Sequence, residues 1–116
     1  MSKRSMRLYL QDIKEAVEGI LSYTQNIDLN QLKNDRMRYS AVIREFQIVG
    51  EAVGKLDNSI KQQHPHIAWQ DIKDFRNLLI HQYFGVDLDI VWTVIQEDLP
   101  QLLETVTVLI NSSEPH

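Results

Sequence analysis

The chain is predicted to be all-α, an antiparallel bundle of four to five helices. Three observations point there. Apolar residues recur at three- and four-residue steps along most of the 116 positions. Only four glycines and three prolines interrupt them. No stretch keeps the two-residue alternation of a half-buried strand for more than a few positions. Hydrophobic residues make up 43% of the chain, enough for one core, and the length suits one domain over 1–116 with a frayed tail at about 111–116.

Each element follows from its own pattern. Tyr9, Leu10, Ile13, Val17, Ile20 and Leu21 form one stripe, which predicts a helix from about Ser5 to Thr24. The segment NIDLNQLKND is a connection, with a short helical turn opened by Asp28. Tyr39, Val42, Phe46, Val49, Val53, Leu56 and Ile60 predict one long helix from about Asp35 to Lys61. It contains Gly50 and Gly54, each costing about 1 kcal/mol against alanine. Lying on one face, they suit the close approach of another backbone.

His64-Pro65-His66 then breaks the pattern. A third main helix is expected from about Trp69 to Phe84, with Gly85 as its C-terminal cap. Asp87 opens a fourth, carrying Ile90, Val91, Val94 and Ile95. Pro100 predicts a kink or break near Asp98, after which Leu102, Leu103, Val106 and Ile110 continue the apolar face.

Composition excludes several chemistries. With no cysteine there is no disulfide, thiolate metal site or cysteine nucleophile. No apolar run approaches the roughly 18 residues of a membrane span, so a soluble, cytoplasmic protein without membrane contact is expected. The net charge of −4 argues against non-specific coating of nucleic acid. Arg4, Arg7, Arg36, Arg38 and Arg44 nevertheless gather in the first half, as a local basic groove or a solvated helix face. His64 and His66 flank a proline and lack partners at metal-ligand spacing, so no metal is assigned, and no cofactor. Glycine-rich phosphate loops and nucleophile elbows are absent from the sequence.

The stretch DFRNLLIHQYFGVD, residues 74–87, sets Arg76, Asn77, His81 and Tyr83 among core-type apolar residues. At about 100° per residue Asn77 and His81 share a face, whereas Arg76 and His81 diverge by roughly 140°. Two copies of this helix meeting across a two-fold axis would bring both residue types into one cleft. Paired histidines suit proton transfer at cellular pH, and paired guanidiniums bind a phosphodiester and its charged transition state. That is a parts list for metal-free RNA cleavage. The same histidine also suits a plain helix-end role, and Arg76 an ion pair with Asp74 or Glu51.

The segment RNLLIHQYFGVD resembles the Arg-x4-His-x-Tyr signature of HEPN domains of the HepT type, the toxin half of HepT–MntA toxin–antitoxin pairs. YLQDIKEAVEGILSYT and YSAVIREFQIVGEAVGKL are similar to the family's first and second helices, and WQDIKDFRNLLIHQYFGVDLDIVWTVIQEDLPQL to its closing pattern. The resemblance runs from about Leu8 to Leu103. It implies a HEPN-like bundle that forms a homodimer, with room for a higher assembly, and a composite site between protomers. It implies a metal-independent endoribonuclease acting on RNA, with Arg76 and His81 as the catalytic pair. Asn77 would orient substrate or imidazole, and Glu51 and Arg44 match second-helix positions from which Glu51 would position Arg76. Tyr83 matches the tyrosine that a cognate MntA-like minimal nucleotidyltransferase antitoxin modifies with AMP. The alternative expectation is a non-catalytic nucleotide-binding or partner subunit of a nucleotidyltransferase complex.

Overall fold

A computed structural model of the chain describes residues 2–81 and 87–112, and the side chains of all of these but 76–81. Among the described residues the chain is all-α: α1 (Lys3–Tyr23), α2 (Leu29–Lys33), α3 (Arg36–Lys55), α4 (Asn58–Gln63), α5 (Trp69–His81), α6 (Leu88–Glu97) and α7 (Leu99–Ser112). Four long packing units make the bundle, namely α1, α3, α5 and the broken pair α6–α7. The short α2 and α4 are connectors.

Capping residues start these helices where the sequence places them. Ser2 opens α1, its hydroxyl accepting from the Ser5 amide at 3.0 Å. Asp28 opens α2 with a reciprocal capping box: its carboxylate accepts from the Gln31 amide at 2.8 Å, and its own amide donates to Gln31 Oε1 at 2.9 Å. Asp87 opens α6 by accepting from the Asp89 amide. At the far end α7 continues through Ser112, two residues into the stretch read as a frayed tail.

The long second helix expected from Asp35 to Lys61 is a correction. It ends at Lys55, and Leu56 and Asp57 are extended before α4 begins at Asn58. The apolar rhythm runs across the break because Leu56 and Ile60 are both buried on either side of it. Spacing records burial, and here two extended residues achieve the same burial with a turned chain. The expected break before Pro100 is present between Glu97 and Leu99. Pro100 sits in the first turn of α7, where its missing N–H has no intrahelical partner to lose.

The core sits around α3, which packs on α1, α2 and α5, while α7 packs on α1 and α6. Leu10, Ile13, Val17 and Ile20 of α1 meet Val42, Val49 and Val53 of α3 in one cluster with Ile95, Leu99, Leu102 and Val106. The Tyr23 hydroxyl donates to Glu45 at 3.3 Å near one end of α1, and the Lys55 ammonium lies 5.7 Å above the Tyr9 ring near the other. These pairings make α1 and α3 antiparallel. Arg38 reinforces the same seam, donating to the Tyr23 carbonyl at 3.0 Å and to Asp35 at 3.1 Å. One arginine of the basic first half is thereby a structural tie. No helix among the described residues is long and apolar enough to cross a membrane.

Replacing Asp28 with alanine removes one half of the capping box and should lower stability by about 1 kcal/mol. Urea unfolding followed by circular dichroism checks this, and the midpoint should shift without a change in slope.

Candidate functional site

The candidate site is built on α5, whose start is fixed by burial. Trp69 and Ile72 are buried, and the Trp69 indole N–H donates to the His64 carbonyl at 2.9 Å. Phe75, half-buried, meets Phe46 edge-to-face at 5.1 Å. Two residues nearer the start of α5, the Lys73 stem lies across Gly54, where an added Cβ would stand 3.4 Å from its Cε. Contacts therefore move toward the start of α3 as α5 advances, and the two helices run antiparallel. What approaches Gly54 is a lysine side chain, whereas the sequence suggested a neighbouring backbone.

Arg76, Asn77 and His81 are helical residues of the last turns of α5. The expected extension to Phe84, the Gly85 cap and Tyr83 lie outside the described residues. In the register of α5, positions 77 and 81 continue the row of Gln70 and Asp74. Gln70 and Asp74 are exposed and bond to each other, Nε2 to Oδ1 at 2.9 Å. At Gln70 and Asp74 this row carries no cover from the rest of the chain.

Antiparallel packing sets the motif-bearing end of α5 beside the first half of α3. From there along α3, Ser40, Ile43, Arg44, Gln47, Ile48 and Glu51 line an open groove of about 480 Å³. Arg44 is exposed. The Glu51 side chain is 59% exposed and reaches Lys55 Nζ at 3.7 Å, so its described ion pair runs along α3. Ser40 and Gln47 were not singled out from sequence. Their signal was present in their three- and four-residue spacing from Arg44 and Glu51.

The two flanks of α5 differ in charge. Toward α6 and α7, burial raises the Asp98 carboxyl above its ordinary pKa, with the charges of Glu97 and Asp71 adding to the shift. Toward α3 and α4, burial lowers the Lys61 ammonium, and the charge of Lys73 adds to that. Sequence reading missed both lysines. They lie twelve positions apart on different helices, α4 and α5, so the effect of one charge on the other is not readable from either segment.

His66 is accounted for structurally, since its Nε2 lies 3.3 Å from the hydroxyl of buried Thr105 and ties the α4–α5 connection to α7. The His64 and His66 rings stand edge-to-face at 6.0 Å. Among the described residues no group of three or more metal-ligating side chains could hold an ion.

A family profile described as ribonuclease HepT-like matches residues 13–109. The chain belongs to the HepT-like ribonuclease family. A Thermococcus cleftensis protein named "Probable ribonuclease HepT" is 42% identical over 100 residues, covering 86% of this chain and 91% of that protein. A Methanocaldococcus jannaschii protein bearing an RNase name is 36% identical over 109 residues, 94% of this chain and all of the relative. A third relative named as an RNase, from Caldanaerobacter subterraneus, is 31% identical over 99 residues, 85% of this chain and 88% of its own. No solved structure matches. The all-α fold is that expected of a HepT-like, HEPN-type chain, and the family match spans the helices that form the core.

The raised Asp98 carboxyl carries a stability prediction. A carboxyl whose folded pKa lies above its unfolded value stabilises the fold while protonated, and that contribution is lost as pH rises through the folded pKa. Asp98→Asn should therefore raise the melting temperature at pH 7 and leave it unchanged near pH 3, where both forms are neutral. Thermal scans of the two proteins at the two pH values test the sign.

Proposed function

We propose that this HepT-like protein is a metal-independent endoribonuclease toxin acting as a homodimer. The observation that carries the reading is the Arg-x4-His pair on one continuous helix, α5, in a chain of the HepT-like ribonuclease family. A second support is geometric. Five residues along a helix turn Arg76 and His81 roughly 140° apart, so one straight copy aims them differently and two copies supply both to one cleft.

In that cleft a neutral His81 imidazole takes the proton of a ribose 2′-hydroxyl. The 2′-oxygen attacks the adjacent phosphorus in line, and the bond from phosphorus to the 5′-oxygen breaks. The protonated His81 of the second copy gives its proton to the leaving 5′-oxygen. The products are a 2′,3′-cyclic phosphate and a 5′-hydroxyl, and Arg76 from both copies stabilises the charge that builds on the phosphoryl oxygens. Asn77, one turn before His81 on the same row, orients imidazole or substrate. Arg44 and the groove on α3 extend the surface along which RNA lies, with Glu51 at its edge.

Silencing follows from Tyr83, two residues beyond His81. An MntA-like nucleotidyltransferase partner would attach AMP there: the phenol oxygen attacks the α-phosphorus of ATP and pyrophosphate leaves. The product sets a negative charge and a base beside the arginines, where they compete with RNA phosphate.

Cleavage of transfer RNA by the purified dimer in the presence of chelator tests the chemistry. His81→Ala and Arg76→Ala should each reduce the rate by roughly 10²–10⁴ while the melting temperature holds. Full activity in a folded His81→Ala protein would remove it from the mechanism. Incubation with the partner and labelled ATP tests the regulation. Tyr83→Phe should accept no AMP and should keep cleaving in the partner's presence, whereas wild-type label elsewhere would refute the assignment.

A further inference from the structure

The face of α1 turned away from the core is built unlike a merely solvated one. Arg4, Leu8, Asp12 and Glu15 follow at steps of four, four and three residues, so they share a row, and all four are exposed. Leu8, inside the row, is 56% exposed. The charges along α1 run against its own macrodipole. Lys3 and Arg4 stand in the first turn, where backbone N–H groups already carry partial positive charge, and that turn holds no carboxylate. Carboxylates follow from Asp12 onward, and the last turn holds no cation. A lone helix gains nothing from that order. An antiparallel helix with the same order satisfies it at both ends.

Beside this row a furrow runs between α1 and α3. Two cavities of about 240 and 220 Å³ adjoin there, with Asp12 and Ile48 as shared walls. Tyr9, Ile48 and Ala52 give the first an apolar side. The second is lined by three carboxylates, Asp12, Glu15 and Glu45, beside Ala16 and Ile48. Glu45 is held over α1 by the Tyr23 hydroxyl, its Oε2 lying against the place where a side chain on Gly19 would begin. Among the described residues no cation lies within ion-pair distance of these three carboxylates, and no carboxylate within that distance of Arg4.

Such a furrow repels an RNA backbone and suits a guanidinium with an apolar neighbour. The row on α1 carries both, in Arg4 and Leu8. A two-fold axis crossing α1 between Tyr9 and Leu10 sets Arg4 of each copy level with Glu15 of the other. The same axis sets Leu8 level with Gln11, next to Asp12, where the two cavities meet.

We infer that the α1 face binds a second copy of this chain, α1 against α1 in antiparallel. Leu8 of each copy leaves water in the furrow of the other, against Tyr9 and Ile48, and Arg4 lies between Asp12 and Glu15. This surface is separate from α5, so it goes beyond the dimer proposed above and joins one such dimer to another. With two faces of this kind, the smallest closed assembly is a tetramer.

The test is the mass of the purified 116-residue chain in solution, by multi-angle light scattering near physiological salt. Wild type should run as four chains. Arg4→Glu, Glu15→Arg and Leu8→Glu should each run as two, with the helical circular dichroism signal unchanged. An equal mixture of the Arg4→Glu and Glu15→Arg proteins should return to four, because each copy then meets opposite charge at both ends of α1. Variants that keep the wild-type mass overturn the inference and leave the α5 dimer standing, and so does a mixture that stays at two. Wild type at two chains with the variants at one makes α1 the pairing face, so the inference holds and dimerisation through α5 falls. A wild type that runs as a single chain overturns both. Binding of an oligoarginine peptide that Glu15→Arg abolishes, with mass unaltered by all three changes, identifies a basic partner and overturns a second copy as the occupant.

Discussion

The burial of α3 is the constraint on which the molecule depends. One helix must satisfy α1 and α5 at once, and it does so with an apolar arc too wide for a surface helix. Val42, Val49 and Val53 are fully buried, and Phe46 and Ala52 nearly so. The arc leaves one exposed strip, along which Ser40, Arg44, Gln47 and Glu51 are spaced. Arg38 and Glu45 are tied into the α1 seam, so Arg44 and Glu51 on this strip are the polar residues of α3 left for other partners to approach. The candidate site lies where the core leaves room, between the buried helix α3 and the helix that carries the signature.

Much of this was legible in the sequence because the signals were local. Asp28 and Asp87 cap helices through hydrogen bonds spanning two or three residues, and such bonds are written in residue order. Pro100 announced the break between α6 and α7 for an equally local reason. The Arg-x4-His spacing could be read directly, and the family comparison bears on the chain that contains it. The break at Leu56 and Asp57 was not legible from periodicity, since burial of both Leu56 and Ile60 preserves the rhythm that a continuous helix would give. Asp57-Asn58-Ser59 was the overlooked sign, three residues that favour helix starts over helix interiors.

The turn between α4 and α5 was hidden for a different reason: it is braced by contacts that no short-range pattern announces, Trp69 on the His64 carbonyl and His66 against Thr105. The His66 ring thereby joins the α4–α5 connection to α7, and the His64 carbonyl fixes the first residue of α5.

Charge placement bears on the apparent conflict between an acidic protein and the proposed RNA substrate. A net charge of −4 suppresses indiscriminate contact with nucleic acid, because most of the surface repels it. Attraction is then confined to the places where cations outnumber carboxylates. Arg38 is not such a place, being committed to Asp35 and the Tyr23 carbonyl. The α3 side of α5 carries the exposed Arg44 in the groove and the Lys73 stem across Gly54, while Asp71, Glu97 and Asp98 stand on the opposite flank. In the proposed function a strand held on one side of α5 would meet the signature in a fixed order, and the two-fold axis of the proposed dimer would supply the same order from the second copy. Specificity of this kind needs no base contact. It requires only that α5 stay docked, and the Phe46–Phe75 contact and the buried face of α3 hold the helix where the signature begins.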